Sequence, residues 1–491
     1  MEGSGVFLDQ ATWQNRIFIG GSWVDGSGGV RDVIEPATGD TLGKIGVATP
    51  SDVAKAAEIA AAAQREWAAT PHPQRAAVLR KAARLFTDHA EEITWWNVRE
   101  VGAIPPVAGF AVHVAEQECF EAASLPSRSY GELLPSEEPR LSMARRVPAG
   151  VVGVISPFNV PIILGIRSVA PALALGNAVI LKPDPRTAVT GGVTMARIFE
   201  EAGLPPGVLQ MLPGAVDVGE ALVTHPLVRV ISFTGSTAAG RKVGELAGKH
   251  LKRAHLELGG NSALIVLDDA DVDEAVGLAA FGSFFHQGQI CMTTGRHLVH
   301  ERIYDDYVER LAGKAAHLPV GDPARAEVAL GPLIDAGQRD KVHGVVTGSV
   351  GGGAKVAAGG TYEDLFYKAT VLADVAPESP AFAQEIFGPV APVVRFSDAE
   401  EAVRLATATE YGLSLGIVTK DVMRGLELAD RVPTGIVHIN DQTVSDEANV
   451  PFGGVAASGT GSRFGGPSAN IDAFTETRWV TMRGTPPGYP F

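Results

Sequence analysis

The chain has 491 residues, with 41 basic and 56 acidic side chains, a formal charge of −15 and an apolar fraction of 45%. That balance is too apolar for a disordered chain, and its acidic surplus argues against nucleic acid or an anionic membrane as the main partner. Two cysteines, Cys119 and Cys291, cannot make a disulfide framework or a four-thiolate metal site, so a reducing cytoplasm is expected and no metal is implied.

At roughly 150 residues per unit the length suggests about three structural units. The first residues, Met1-Glu2-Gly3-Ser4, lack the basic start and apolar run of a signal peptide. Between Ile17 and Ile34, Gly-Gly, Asp25-Gly26 and Gly28-Gly29 separate β-rich segments, a hairpin signal. Thr49-Pro50-Ser51-Asp52 reads as a capping box with proline at the first helical position. Val53, Ala56, Ala57, Ala60 and Trp67 then share one helical face, and more helix is expected from Pro73 to about Glu100. Leu125–Arg146 is broken by Pro126, Pro135 and Pro139 and reads as an extended arm or a surface loop. The uncharged stretch between Arg146 and Arg167 is long enough for a membrane span, but Pro148, Gly150, Gly153, Pro157 and Pro161 make it a strand, a turn and a helix start.

The clearest rhythm follows. Strands at Val151–Ile155, Ala178–Leu181, Val208–Leu212 and Val228–Phe233 alternate with helices at Val160–Leu175, Thr187–Ala202, Asp217–Thr224 and Thr237–Lys249. Two more strands, Ala254–Leu258 and Ala263–Leu267, complete the run. This alternation predicts an α/β fold with a doubly wound, Rossmann-like parallel sheet, which binds ligands at the carboxyl ends of its strands. A second α/β unit is expected between Asp271 and Ala429. The tail from Gly484, with three prolines, is a second candidate arm or a frayed end.

Several residues sit where chemistry is expected. Gly235-Ser236-Thr237-Ala238-Ala239-Gly240 follows a strand and opens a helix, where backbone N–H groups favour a phosphate; the other reading is a plain strand-to-helix turn. Arg241 and Val243 replace the lysine and hydroxyl of a nucleotide-triphosphate loop, which disfavours a triphosphatase. Lys182, at a strand end, is placed to meet a ribose or phosphate unless it is simply solvated. Cys291 is a small buried hydrophobe or a nucleophile. Glu257, in an apolar strand, must pair with a cation or be held for proton work. Asn159 is an ordinary turn residue or an amide aimed into the crevice.

Together these segments resemble the aldehyde dehydrogenase superfamily. Pro157-Phe158-Asn159, Phe233-Thr234-Gly235-Ser236-Thr237, Glu257-Leu258-Gly259-Gly260, Gly288-Gln289-Ile290-Cys291, Glu385-Ile386-Phe387-Gly388-Pro389 and Pro451-Phe452-Gly453-Gly454 come in that family's order and near its spacings. The resemblance runs from about Ile17 to Val480. Ile155–Gly192 and His286–Met292 look most like benzaldehyde, vanillin and salicylaldehyde dehydrogenases.

The resemblance implies a cofactor domain over residues 1–124 and 147–257, a catalytic domain over 258–450, and a small β oligomerisation arm from 125–146 and 475–491. A homodimer or homotetramer follows from that arm. It implies oxidation of a small aldehyde, aromatic by the finer match, to the acid. Cys291 would attack the carbonyl, a thiolate being the best side-chain nucleophile near neutral pH. The Asn159 amide and the Cys291 backbone N–H would hold the oxyanion, and Glu257 would activate water. Retention of Glu257 favours hydrolysis over acyl transfer to coenzyme A; an aliphatic specificity or a silent structural relative are the other readings. Glu476 matches a family glutamate implicated in proton handling, or is a surface carboxylate.

The cofactor implied is NAD, with NADP possible. Lys182 would meet the adenine ribose, Glu385 the nicotinamide ribose, Phe387 the nicotinamide, and Gly235 and Ser236 the pyrophosphate. Ile155, Ser156, Pro157, Phe158, Asp184 and Leu258 complete the set. Pro185 stands where NAD-selective members often carry a glutamate, so adjacent Asp184 could repel a 2′-phosphate and Arg186 attract one. Gln384-Glu385 replaces a more usual Glu-Glu. For the substrate tunnel, Trp96, Leu164, Arg167, Ile290, Met292 and Phe452 are the matching positions, with Arg167 able to bond a ring hydroxyl or carboxylate or to act structurally.

Overall fold

The structure is a computed structural model that describes residues 6–490; Met1–Ser4 lies outside the described residues. The capping box forms as spelled: the Thr49 N–H donates to Asp52 Oδ2 at 2.8 Å and opens the helix Pro50–Ala69. Its face of Val53, Ala56, Ala57, Ala60 and Trp67 is buried. The early hairpin pairs Arg16–Ile19 with Ser22–Asp25, its turn made by Gly20 and Gly21 at φ of 67° and 80°. Val30–Ile34 makes a separate hairpin with Thr41–Gly46.

The first seven-stranded sheet has the order Arg253–Glu257, Val228–Thr234, Val151–Ile155, Ala178–Lys182, Leu209–Met211, Arg16–Ile19 and Ser22–Asp25. The first five are parallel, and the N-terminal hairpin adds antiparallel. Both faces are covered, and alternate residues serve them. Val152, Val154, Val179 and Leu181 enter one apolar layer; Val151, Ile155, Ala178 and Ile180 enter the other. From Val151–Ile155 the chain winds outward through Ala178–Lys182 and Leu209–Met211, then returns to place Val228–Thr234 on the other flank. The switch point therefore lies between Ile155 and Phe233, whose carboxyl ends carry Ser156-Pro157 and Thr234-Gly235.

The strand Ser262–Val266, which continues the sequence rhythm, does not extend this sheet. It sits inside a second seven-stranded sheet, between Thr294–His300 and Ser414–Val418. The parallel strands Val390–Phe396, Thr370–Ala373 and Ile436–Ile439 flank them, and Lys355–Ala358 closes one edge antiparallel.

Between Thr187 and Ala202 the expected helix is divided. A π-helical turn, Val189–Val193, precedes the α-helix Thr194–Ala202. Buried Glu100, itself in a π-helical turn, accepts from Val189 N at 3.0 Å and Thr190 N at 2.6 Å and draws that backbone out of α geometry. Residues of the 125–146 segment form strands rather than a loose loop. Gly131–Leu133 and Leu141–Pro148 build a three-stranded antiparallel sheet with Thr475–Met482. Among the described residues no helix is long and apolar enough to cross a membrane.

Candidate active site

Two cavities meet around Cys291. The larger, a cleft of about 1220 Å³, lies at the switch point of the first sheet and reaches across to the second. The residues read as cofactor-binding all line it: Ile155, Ser156, Pro157 and Phe158 from one strand end, Lys182 and Asp184 from the next. Gly235, Ser236, Leu258, Glu385 and Phe387 complete that set. The smaller cavity, about 620 Å³, is walled by Leu164, Arg167, Ile290, Met292 and Phe452, with Val107, Phe110 and Phe285. Cys291, Asn159 and Leu164 line both.

Trp96 does not join them. The position matched to a substrate tunnel is instead a core residue, 4% exposed, edge-on to Trp13 at 5.6 Å between ring centroids. The short helix Ala90–Trp96 points it into the N-terminal core, because the flanking Trp95 takes the exposed position. Glu476 pairs with Val147 in the three-stranded sheet and lines neither cavity. Cys119 is a buried core residue.

The approach to Cys291 is strained. His286, Gln287 and Gly288 all adopt left-handed backbone, with φ of 52°, 55° and 64°. Such runs persist only where surroundings over-determine them. Gln287 Nε2 donates to the Gly102 and Pro332 carbonyls at 2.9 and 3.1 Å, and His286 Nε2–H donates to the Asn159 carbonyl at 2.8 Å. That bond leaves His286 Nδ1 as a bare acceptor, and burial pushes the imidazole down to about 4, so it is neutral. The Asn159 amide gives one N–H to the Gln289 carbonyl at 2.7 Å. Its second N–H has no partner among the described residues and is free to meet an oxygen beside Cys291.

Burial, then the charges of Glu385, Glu257 and Asp446, push the Cys291 thiol up to about 12. Burial lifts Glu257 well above the usual carboxylate range, against the lowering pull of Arg463 and Arg167. Glu257 ends its strand with neither oxygen hydrogen-bonded. Gly453 makes room for it: a Cβ there would sit 2.9 Å from Glu257 Oε1. Gly259 does the same for Glu385, whose Oε1 accepts from the Gly260 N–H at 2.9 Å. Glu257 lines neither cavity, and its charge reaches Cys291 from behind the wall.

The cleft suits a nicotinamide nucleotide. The Lys182 ammonium, mostly buried, has no ion-pair partner among the described residues, and burial pulls its pKa down. A ribose hydroxyl or phosphate oxygen would supply what it lacks. The helix Thr237–Lys249 presents its N-terminus here, capped by Ser236. Phe158 and Phe387 stand edge to face at 5.8 Å, two flat surfaces for a ring. Asp184 and Arg186 satisfy each other: Arg186 Nε and Nη2 donate to the two Asp184 oxygens at 2.9 and 2.8 Å, and Nη1 donates to Asp335 at 2.8 Å. Burial raises Asp184, but those bonds outweigh it and hold the carboxyl below its ordinary value.

Sequence reasoning missed Asp446 and His286, both in the smaller cavity. Asp446 sits in no motif, and only the buried charge of Arg167, which demands an anion, could have signalled it; His286 opens the stretch His286–Met292, where no role was assigned to it.

Comparison with known proteins points to one family. A family model described as the aldehyde dehydrogenase family matches residues 23–480. The chain is 70% identical over 485 residues to a vanillin dehydrogenase of an Amycolatopsis species, covering 99% of this chain and 100% of that one. It is 51% identical to a benzaldehyde dehydrogenase [NAD(+)] of Pseudomonas putida, covering 98% and 99%. The crystal structure of a salicylaldehyde dehydrogenase from Pseudomonas putida G7, complexed with salicylaldehyde, superposes with a TM-score of 0.93 at 36% identity, covering 98% and 100%.

Proposed function

Because the chain belongs to the aldehyde dehydrogenase family, which oxidises aldehydes with a nicotinamide nucleotide, we propose that it converts an aromatic aldehyde to the carboxylic acid at Cys291. The observation that carries this reading is the meeting of the cleft and the apolar cavity at that one sulfur. The cavity's aromatic and aliphatic walls suit a flat ring, and the relatives named for vanillin, benzaldehyde and salicylaldehyde support that class.

Cys291 gives its proton to water as its sulfur bonds to the aldehyde carbon, and the C=O π pair moves onto the oxygen. The free N–H of Asn159 and the Cys291 backbone N–H take the resulting oxyanion. A bound nicotinamide supplies the acceptor for the hydride. The acyl group is then a thioester on Cys291. Glu257, lifted towards a base's working range by burial, draws a proton from water, whose oxygen displaces the sulfur. Lys182, Glu385, Gly235 and Ser236 hold the nucleotide in the cleft.

NAD is the favoured nucleotide, because Arg186 already serves Asp184 and Asp335 and is not free for a 2′-phosphate. The exposed Leu133, Trp479 and Met482 of the three-stranded sheet support its role as the arm of a homodimer or homotetramer. Two unpaired cysteines support a cytoplasmic setting.

Initial rates with benzaldehyde and a medium-chain aliphatic aldehyde, each with NAD and NADP, test the reading. The aryl aldehyde with NAD should give the highest specificity constant, with free acid as product even when coenzyme A is added. A strong aliphatic preference, or an acyl-thioester product, would sink it.

A further inference from the structure

Asn159 makes two hydrogen bonds among the described residues, and both go to the loop that leads into Cys291. Its amide donates to the Gln289 carbonyl at 2.7 Å, and its own carbonyl accepts from His286 Nε2–H at 2.8 Å. Among the described residues no backbone N–H takes that carbonyl. Both side chains are buried, His286 at 1% exposure and Asn159 at 3%. A carbonyl can only accept, so the imidazole proton sits on Nε2, and burial keeps the ring neutral with that one proton committed.

The loop does not need this bond to hold its own place. Gln287 Nε2 donates to the Gly102 and Pro332 carbonyls, Gln289 Oε1 accepts from the Ile334 N–H at 3.1 Å, and Thr443 Oγ1 donates to the Met292 carbonyl at 2.7 Å. Asn159 has no such reserve. It lies in the turn between the strand Val151–Ile155 and the helix Pro161–Ala174, whose start carries no side-chain cap. Without the His286 bond, Asn159 keeps a single contact at the tip of its amide, and its main chain can rock about that point. With the bond, main chain and amide are pinned separately, and the second amide N–H has one direction left.

Resting on the reading above that an oxyanion forms beside Cys291, we infer that His286 is a positioning residue for the oxyanion donor: its Nε2–H fixes the main chain from which the Asn159 amide reaches the oxygen. Donors of this kind work because they are held in place before the charge develops, and a misplacement of about 1 Å can cost on the order of 10²-fold in rate. The left-handed backbone at His286, with φ of 52°, fits the same role. A plain turn is served by glycine, whereas here a ring with a bond to keep occupies the strained position.

The test measures steady-state rates with an aryl aldehyde and NAD. His286→Phe keeps a ring and removes the donor; it should lower kcat by about 10- to 100-fold while KM and NAD affinity stay within about twofold. His286→Gln carries an amide N–H the same number of bonds from the main chain and should bring kcat back to within about threefold of the unaltered protein. Alkylation of Cys291 by iodoacetamide forms no oxyanion, so its rate in His286→Phe should stay within about twofold. In the Asn159→Ala background, His286→Phe should cost less than about twofold more, since the amide it serves is gone. The inference is overturned if the two losses multiply, if His286→Gln restores nothing, or if alkylation slows along with turnover, as a disrupted loop would make it. Where His286→Phe does not fold, His286→Leu replaces it in each comparison; failure of both to fold assigns the ring to structure and also overturns the inference. If Asn159→Ala keeps full activity, the oxyanion reading falls first and takes this one with it.

Discussion

The cleft that holds Lys182 and Glu385 is built mostly from residues at and just beyond the ends of parallel strands, whereas the cavity on the other side of Cys291 is built from helix faces, the loop around Cys291 and one late loop. The first offers N–H groups, a helix terminus and glycines that allow close approach. The second offers shape and apolar surface with few polar groups. A nucleotide can therefore be held by features that survive many side-chain changes, while the aldehyde is chosen by a few side chains brought together from distant parts of the chain.

The sharpest way to break this comparison is to remove the sulfur at the junction of the two regions. Cys291→Ala should lower aldehyde oxidation on the order of 10⁴-fold or more while nucleotide binding, followed by fluorescence titration, stays intact. An active Cys291→Ala protein would refute the covalent route. Next in size, Glu257→Gln should slow release of the acid by roughly 10²–10⁴-fold, with acyl-enzyme accumulating and visible by intact mass. Asn159→Ala should cost about 10²–10³-fold in kcat, one oxyanion donor being lost.

The pH profile sharpens the contrast further. Cys291 and Glu257 are both raised above their ordinary values, and each works without its proton. Activity should thus rise with pH towards the alkaline side and fall as acid returns the protons. Glu257→Gln should alter that limb, whereas a change in the cleft such as Lys182→Met should move nucleotide affinity and leave the limb in place. The smallest effect is expected at Trp96. Trp96→Phe should leave the specificity constant for an aryl aldehyde within about twofold, while costing on the order of 1 kcal/mol of stability through the Trp13 contact, measured by urea unfolding.

The same contrast explains what was legible in the sequence. The cofactor cleft was readable because its residues follow strand ends, where alternation of apolar runs with helices fixes their position along the chain. Strand and helix bounds from Val151 to Lys249 accordingly lie close to expectation, apart from the π-helical turn that Glu100 imposes from 89 residues away. The sheet membership of Ser262–Val266 was not readable, because a strand's neighbours are chosen by long-range pairing and not by its own composition. Leu164, Ile290, Met292 and Phe452 were found through motif neighbours, but Asp446 meets Arg167 across 279 residues and left no local signature. Trp96 failed for the opposite reason: apolar and aromatic, it suits a tunnel as well as a core, and only packing decides between them.

One bond has a mechanical consequence. Because Asn159 already spends one amide hydrogen on the Gln289 carbonyl, two residues before the sulfur, the nucleophile and the group that would greet its product are yoked into a single moving part. Thermal excursions of the left-handed run His286–Gly288 would then carry both together, so that their mutual alignment outlasts the motion of either against the rest of the molecule.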